Sequence, residues 1–128
     1  VAVCDWLSEA ELAVYAGEFA RTGFQGGLNW YRARTSGKYA ADLELFSGRS
    51  IDVPSCFIAG ASDWGIYQAP GSIEVMRDKA CTAMTDVHLL PGAGHWVQQE
   101  QARAVSALLI SFLSQQPGGN VGVSGDEK

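Results

Sequence analysis

The chain has 128 residues, of which 47% are hydrophobic and 18% are charged, the composition of an ordinary globular domain and not of a disordered or fibrous chain. Its formal net charge of −5 and its 9 scattered Lys and Arg residues argue against nucleic acid or an anionic membrane surface as a partner. No apolar run approaches the roughly 18 residues that a membrane span needs. The sequence therefore predicts one domain's worth of soluble protein.

Cysteine usage and the first residue bear on location and completeness. Cys4, Cys56 and Cys81 are too few and too irregularly spaced for a disulfide framework, and none forms a Cys-x-x-Cys metal pair. Reduced thiols in a cytoplasmic protein are the simplest account. Because the sequence begins with Val1 and carries no targeting signal, we expect the true N-terminus to lie upstream.

The first third of the chain predicts two helical segments. Ser8 and Glu11 have the Ser-x-x-Glu spacing of a capping box, so a helix is expected to begin there. We expect Gly23 and the glycine pair at 26–27 to end this helix. Its apolar stripe at helical spacing consists of Leu12, Tyr15, Ala16 and Phe19. Residues 29–32 (NWYR) begin a second, aromatic-rich helical segment, and residues 35–52 are a connection with one helical turn.

Two buried strands are predicted in the second half. Residues 53–60 (VPSCFIAG) form a nearly continuous apolar run, which is typical of a strand buried on both faces, with Pro54 tolerated at its first position. A loop and a helix over residues 72–80 lead to a second strand over 87–90. Strands of this kind belong to parallel sheets between helices, so the fold class is α/β.

The C-terminal part predicts one long helix and a tail. Residues 98–113 place apolar side chains on one face of an amphipathic helix that packs on the sheet, namely Val105, Leu108, Leu109 and Phe112. Residues 117–128 are polar and glycine-rich and predict a flexible tail.

A glycine-rich turn at residues 91–96 (PGAGHW) presents His95 directly after the second strand. Histidine titrates near neutrality, and the flanking glycines let the backbone bend so that the ring points into a cavity, which favours proton transfer. The alternative is a partly buried turn histidine bonded to a backbone carbonyl. His88, which alternates within the strand, is interpreted as a structural or surface residue.

Asp63 follows the first strand, 32 positions before His95. In a right-handed βαβα unit the loops after both strands emerge at the same edge of the sheet, so the two side chains are expected to meet. A carboxylate bonded to one imidazole nitrogen fixes the tautomer and stabilises the imidazolium, which makes a general-base pair. By itself, an Asp after a strand favours an Asx turn or a helix cap, and the pairing with His95 is what supports the general-base interpretation.

Three segments together resemble the C-terminal part of α/β-hydrolase-fold epoxide hydrolases. They are residues 94–100 (GHWVQQE), the Asp63 loop behind Pro54 and its strand, and residues 26–32 (GGLNWYR). The resemblance covers about residues 6–114. It implies an incomplete α/β-hydrolase sheet of two mostly parallel buried strands with flanking helices, preceded by part of a helical lid.

The resemblance also implies a division of the chain and roles for five residues. Residues 1–48 are assigned to the end of the lid and a connection, residues 49–116 to the core, and residues 117–128 to the tail. The resemblance implies that His95 activates water and that Asp63 orients His95. It further implies that Tyr31, as one of two lid tyrosines, donates a hydrogen bond to the epoxide oxygen. Trp30 and Trp96 are the implied substrate-binding residues. From the residues alone, packing of a small lid against the core is the preferred interpretation of Trp30 and Tyr31.

The family's reaction has two steps and needs no metal or organic cofactor. An aspartate forms an ester with the epoxide carbon, and activated water hydrolyses that ester to a vicinal diol. The family's nucleophile, its His-Gly-x-Pro loop and its second lid tyrosine find no match in the 128 residues. Asp63-Trp64-Gly65 imitates the nucleophile sequence, but Ser62 replaces its histidine and the spacing to His95 suits the orienting acid.

The implied partners are a small apolar epoxide-type substrate, water, and the N-terminal half of the fold, in the same polypeptide or as a second chain. An apolar strand with an unpaired edge supports this expectation, because such an edge is an aggregation liability. Two alternatives stay open: a related α/β hydrolase, either a haloacid dehalogenase or an esterase, and a non-catalytic truncated module. An upstream Ser would indicate ester cleavage, and an upstream Asp would indicate epoxide or carbon–halogen chemistry.

Overall fold

A computed structural model describes residues 5–117, so that Cys4 and the predicted tail beyond residue 117 lie outside the described residues. The chain divides into two compact units, Val1–Arg49 and Ser50–Lys128. The described part of the first unit is helical, and that of the second combines two strands with helices. No helix within residues 5–117 is long and apolar enough to span a bilayer.

The predicted capping box begins helix α1, Glu9–Thr22. The Glu11 N–H donates to the Ser8 hydroxyl (3.3 Å), and the Ser8 N–H donates to the Glu11 carboxylate (2.8 Å). Each side chain thereby satisfies a backbone N–H that has no partner inside the helix. The Ser8 hydroxyl also donates to Glu11, and this bond is the main reason that the pKa of Glu11 is lowered.

Helix α2 spans Gln25–Thr35 and helix α3 spans Ala40–Leu43, which confirms the second helical segment and the single turn in the connection. The prediction that the pair at 26–27 ends the first helix was wrong. Helix α1 ends at Gly23, whose φ of 67° suits a residue without a side chain, and the glycine pair lies in the first turn of α2. Stacking of Phe24 on Phe19, with ring centroids 4.7 Å apart, lets α2 begin immediately.

The second unit is built on a parallel pair of strands, β1 (Ser55–Gly60) and β2 (Met84–Leu90). β2 begins three residues earlier than predicted because Met84 and Asp86 also pair with β1. The Thr85 hydroxyl between them donates to the Ser55 carbonyl (3.0 Å). The predicted helix between the strands is present as α4, Ser72–Val75, which continues into a wider π-type turn, Met76–Ala80.

β1 is less buried than its apolar sequence predicts. Ala59 and Gly60 are buried, but residues 55–58 are only half-buried. The physical reason is that the sheet of the described residues has only two strands, so both β1 and β2 are edge strands. The architecture is the incomplete α/β sheet expected from the sequence.

The small core forms where the C-terminal helices meet β1. Ala93, Val97 and Val105 are buried, and Ile58 and Leu90 pack against them. Two helices supply this face, α5 (Val97–Glu100) and α6 (Ala102–Ser114).

The prediction of one continuous helix over residues 98–113 was therefore wrong. Gln101 leaves helical geometry, with φ of −135° and ψ of 52°, and its side-chain N–H donates to the Pro91 carbonyl (2.7 Å). Leu109 was also misplaced on the packed face: it is exposed, whereas Leu108 and Phe112 are half-buried beside the buried Val105. The break at Gln101 rotates α6 relative to α5, which a periodicity count across the junction misses.

Candidate active site

Asp63 is held by its own turn at the end of β1. Its backbone N–H donates to the Gly60 carbonyl (3.0 Å), and its carboxylate accepts from the Gly65 N–H (2.7 Å), which caps a short 3₁₀ turn over Trp64–Tyr67. The residue is only 9% exposed. The Gly65 hydrogen bond is the main cause of a lowered pKa of Asp63, while burial opposes it and His95 adds to it. Asp63 is therefore an ionised carboxylate in a fixed orientation at neutral pH.

His95 and Asp63 meet, as the order of strands and loops predicts. His95 Nδ1 lies 3.1 Å from Asp63 Oδ1 and 3.2 Å from Oδ2. Donation from Nδ1–H to the carboxylate fixes the tautomer in which Nε2 carries the basic lone pair. The turn cap and the contact with His95, which the sequence left as alternatives for Asp63, coexist because the carboxylate contacts both Gly65 and His95, and the general-base role of the pair stays a prediction.

Backbone hydrogen bonds join the two loops that carry this pair. The Ala61 N–H donates to the Leu90 carbonyl and the Ser62 N–H donates to the Ala93 carbonyl, both at 2.9 Å. These bonds extend the parallel pairing of β1 and β2 past the strand ends. They place the Asp63 loop directly beside the turn of His95.

Aromatic rings flank the imidazole on two sides. Trp64 stacks on His95 at 5.9 Å between ring centroids, and Trp96 meets it edge-on at 5.2 Å. The His95 side chain is 52% exposed. Beside Asp63 a cavity of about 330 Å³ opens, lined mainly by apolar side chains, namely Phe57, Ile66, Ile73 and Met76. An apolar surface of this kind suits an uncharged organic ligand.

Tyr31 and Trp30 lie on α2 in the first unit, with 68% and 80% of their surface exposed. Their rings are thus not packed within the helices of that unit. The phenol and the indole are accessible for contacts outside it, and the roles given to them by resemblance stay predictions.

Sequence reasoning missed Glu100 and Gly60. The Gly94 N–H donates to Glu100 Oε2 (2.6 Å) and the Trp96 N–H donates to Glu100 Oε1 (2.9 Å), so one carboxylate holds the backbone on both sides of His95. The available signal was a carboxylate five positions after the histidine. For Gly60, the available signal was the position of a glycine at the end of a buried strand, which indicates a close approach of another backbone segment. Among residues 5–117, no cluster of three or more His, Cys, Asp or Glu side chains could hold a metal ion.

The chain is similar to known proteins both in sequence and in structure. No protein-family model matches the chain. Epoxide hydrolase A of Mycobacterium tuberculosis is 43% identical over 113 residues, and epoxide hydrolase 1 of Siraitia grosvenorii is 36% identical over 123 residues. The chain is homologous to epoxide hydrolases. These alignments cover 85% and 89% of the chain but 32% and 37% of the two relatives, so the chain spans about a third of the length of the relatives it matches.

Solved structures of epoxide hydrolases share the fold. An epoxide hydrolase from an endophytic Streptomyces superposes with a TM-score of 0.81 at 36% identity, covering 89% of this chain and 34% of that one. Potato epoxide hydrolase I gives 0.74 at 34% identity, covering 88% and 35%. The two-stranded sheet with its flanking helices is thus the C-terminal part of an α/β-hydrolase fold.

Proposed function

We propose that this chain supplies the water-activating part of an epoxide hydrolase, an enzyme that opens an epoxide to a vicinal diol. The observation that carries the proposal is the 3.1 Å contact between His95 Nδ1 and Asp63 in a chain homologous to epoxide hydrolases. The lid is assigned to residues 1–48, the core to residues 49–116, and we expect a cytoplasmic location. The N-terminal half of the fold, in the same polypeptide or a second chain, completes the enzyme.

The first step forms a covalent ester. A carboxylate of an aspartate in the N-terminal half attacks one epoxide carbon, the carbon–oxygen bond of the ring breaks, and negative charge develops on the epoxide oxygen. The Tyr31 phenol donates a hydrogen bond to this oxygen and, with a second tyrosine, stabilises the alkoxide. We assign substrate binding to Trp30 and Trp96. This step consumes no water.

The second step regenerates the enzyme. Water gives a proton to His95 Nε2 while its oxygen attacks the carbonyl carbon of the ester. The acyl–oxygen bond then breaks and the departing diol oxygen takes the proton from His95. The carboxylic acid left on the enzyme gives the remaining water proton to the alkoxide oxygen, which restores the carboxylate and completes the diol. Asp63 stabilises the imidazolium that exists between these proton transfers.

The test compares two histidine variants of the complete protein with styrene oxide. We expect the parent to form the diol, and His95→Asn to accumulate an ester whose mass exceeds that of the protein by one epoxide. His88→Asn is the matched control, because His88 lies in β2 with its Nε2 3.8 Å from Asp86, and we expect it to retain diol formation. Absence of diol with the parent, or diol formation by His95→Asn at the parent's rate, would contradict the proposal.

Assays of the complete protein with two other substrates distinguish the alternatives. Release of halide from a 2-haloacid without epoxide opening would indicate a dehalogenase, and cleavage of a nitrophenyl ester alone would indicate an esterase. A protein that binds no epoxide and turns over none of the three substrates would be a non-catalytic module.

A further inference from the structure

Glu100 accepts hydrogen bonds from the backbone on both sides of His95, the candidate base. Its two carboxylate oxygens accept hydrogen bonds from the backbone N–H groups immediately before and after His95, those of Gly94 at 2.6 Å and Trp96 at 2.9 Å. The Trp96 N–H belongs to the peptide plane that follows the His95 Cα atom, and the Gly94 N–H belongs to the peptide plane that precedes the Gly94 Cα atom. One side chain therefore restrains the backbone on both sides of His95, and the direction in which the imidazole leaves the backbone depends on the conformation of this short stretch.

Glu100 is in turn anchored to the core through its own helix. Glu100 is the last residue of α5, whose first residue, Val97, is buried in the core cluster. The Glu100 N–H donates to the Trp96 carbonyl at 2.9 Å, so both the carboxylate and the backbone of Glu100 are hydrogen-bonded to Trp96. Glu100 is half-buried, which shields these hydrogen bonds from competing water.

A carboxylate is the side chain that suits this position. Both partners are N–H donors, and an ionised carboxylate offers two acceptor oxygens and no donor. A glutamine of the same shape would direct its NH₂ group at one of the two N–H groups and lose that bond. Hydrogen bonds to a charged acceptor are also roughly twice as strong as neutral ones.

We propose that Glu100 is a positioning residue for ester hydrolysis, because it holds the turn so that His95 Nδ1 stays on Asp63 and Nε2 faces the attacking water. This inference rests on the proposed function and assigns a role to a residue outside the histidine–acid pair and the lid tyrosines. Glu100 acts through the backbone of His95 and does not touch the substrate. It affects the second chemical step, since ring opening by the nucleophile does not require proton abstraction by His95.

The test is rapid-quench mass spectrometry of the complete protein with styrene oxide. We expect Glu100→Gln to slow ester hydrolysis by about 10- to 100-fold, the factor that corresponds to losing one charge-assisted hydrogen bond. The rate constant of ester formation should stay at the parental value, so that the ester accumulates. Glu74→Gln, on the exposed surface of α4, is the matched control and should leave both rate constants unchanged.

A purely structural role of Glu100 gives a different result. It would lower the folded fraction and the melting temperature, but the folded molecules would form and hydrolyse the ester at parental rates. Equal hydrolysis rates in Glu100→Gln and the parent therefore overturn the proposal. If Glu100→Gln does not fold, Glu100→Asp keeps the charge but is one methylene too short to reach both N–H groups, and it should show the same selective loss.

A spectroscopic measurement separates this inference from the proposed function. The His95 Nδ1–H proton bonded to Asp63 gives a downfield NMR resonance, which we expect to shift or broaden in Glu100→Gln and not in Glu74→Gln. This outcome does not depend on epoxide turnover. An unchanged resonance overturns the positioning role even if diol is formed, whereas a changed resonance without diol from the parent overturns the proposed function alone.

Discussion

Gly60 lies so close to Gly94 that a Cβ atom added to Gly60 would stand 2.2 Å from the Gly94 carbonyl oxygen. The Ala93 carbonyl oxygen would be 2.3 Å from the same atom. Such distances are far inside van der Waals contact, so the end of β1 and the turn of His95 touch backbone to backbone. The absence of a side chain at Gly60 is what allows the Asp63 and His95 loops to share the hydrogen bonds that join them.

Gly60→Ala should therefore separate the two loops. We expect a destabilisation of about 1–3 kcal/mol, the usual cost of overpacking, together with a loss of diol formation. Urea unfolding of the complete protein measures the first effect, and product formation the second. Gly17→Ala is the control: Gly17 lies in α1 with nothing within 4 Å of an added Cβ, and alanine there should stabilise by roughly 0.5–1 kcal/mol. A Gly60→Ala protein with parental stability would contradict the contact.

Asp63→Asn tests the acid of the pair. The amide oxygen of asparagine can still accept from the Gly65 N–H, so the turn should persist and the melting temperature should change little. The charge that stabilises the imidazolium is lost, and the amide offers an N–H to the His95 nitrogen that should itself donate. We expect ester hydrolysis to fall by roughly 10²- to 10⁴-fold. Retention of parental hydrolysis in Asp63→Asn would remove Asp63 from the mechanism.

The stability of the protein should depend on the ionisation of Asp63 at acid pH. Its pKa is lowered in the folded state, first by the Gly65 hydrogen bond, so the unfolded chain binds the proton more tightly. The stability from this group is fully present above the unfolded pKa of about 3.9 and is lost as the pH falls through the lower folded pKa. Urea unfolding between about pH 6 and pH 2 should give a shallower pH dependence for Asp63→Asn than for the parent. Identical slopes would show that Asp63 does not contribute.

Tyr31→Phe tests the first step, ester formation, separately from ester hydrolysis. Loss of the phenol O–H should slow ester formation by roughly 10- to 100-fold, because one of the two predicted donors to the epoxide oxygen is removed. Ester hydrolysis should stay at the parental rate. Since the ring is exposed within its unit, the melting temperature should not change. Tyr39→Phe, an exposed tyrosine outside the proposed site, should leave both steps unchanged, and equal effects of the two substitutions would contradict the role of Tyr31.

The features that the sequence predicted well are those encoded by local chemistry. The Ser8 and Glu11 capping box marks the start of α1, and two short apolar runs mark β1 and β2. The meeting of Asp63 and His95 followed from topology, because loops after parallel strands emerge at one edge of a sheet.

The features it missed depend on contacts between distant residues. The helix break at Gln101 is accompanied by a side-chain hydrogen bond to the Pro91 carbonyl, which the spacing of apolar residues does not indicate. Glu100 was given no role from the sequence, because its hydrogen bonds from the Gly94 and Trp96 N–H groups depend on the folded turn. Leu109 was assigned to the packed face because apolar residues are counted by spacing, whereas exposure depends on what actually covers them.

The hydrogen bonds that orient Asp63 and His95 join residues within the stretch 60–100, from the Gly60 carbonyl to the Glu100 carboxylate. Asp63 and His95 are therefore positioned by one contiguous segment of the chain. In chimaeras with relatives, a crossover placed before β1 should transfer the Asp63–His95 contact as a unit. Recombination at that junction would thus vary the preceding part of the chain while keeping the hydrogen bonds within this segment.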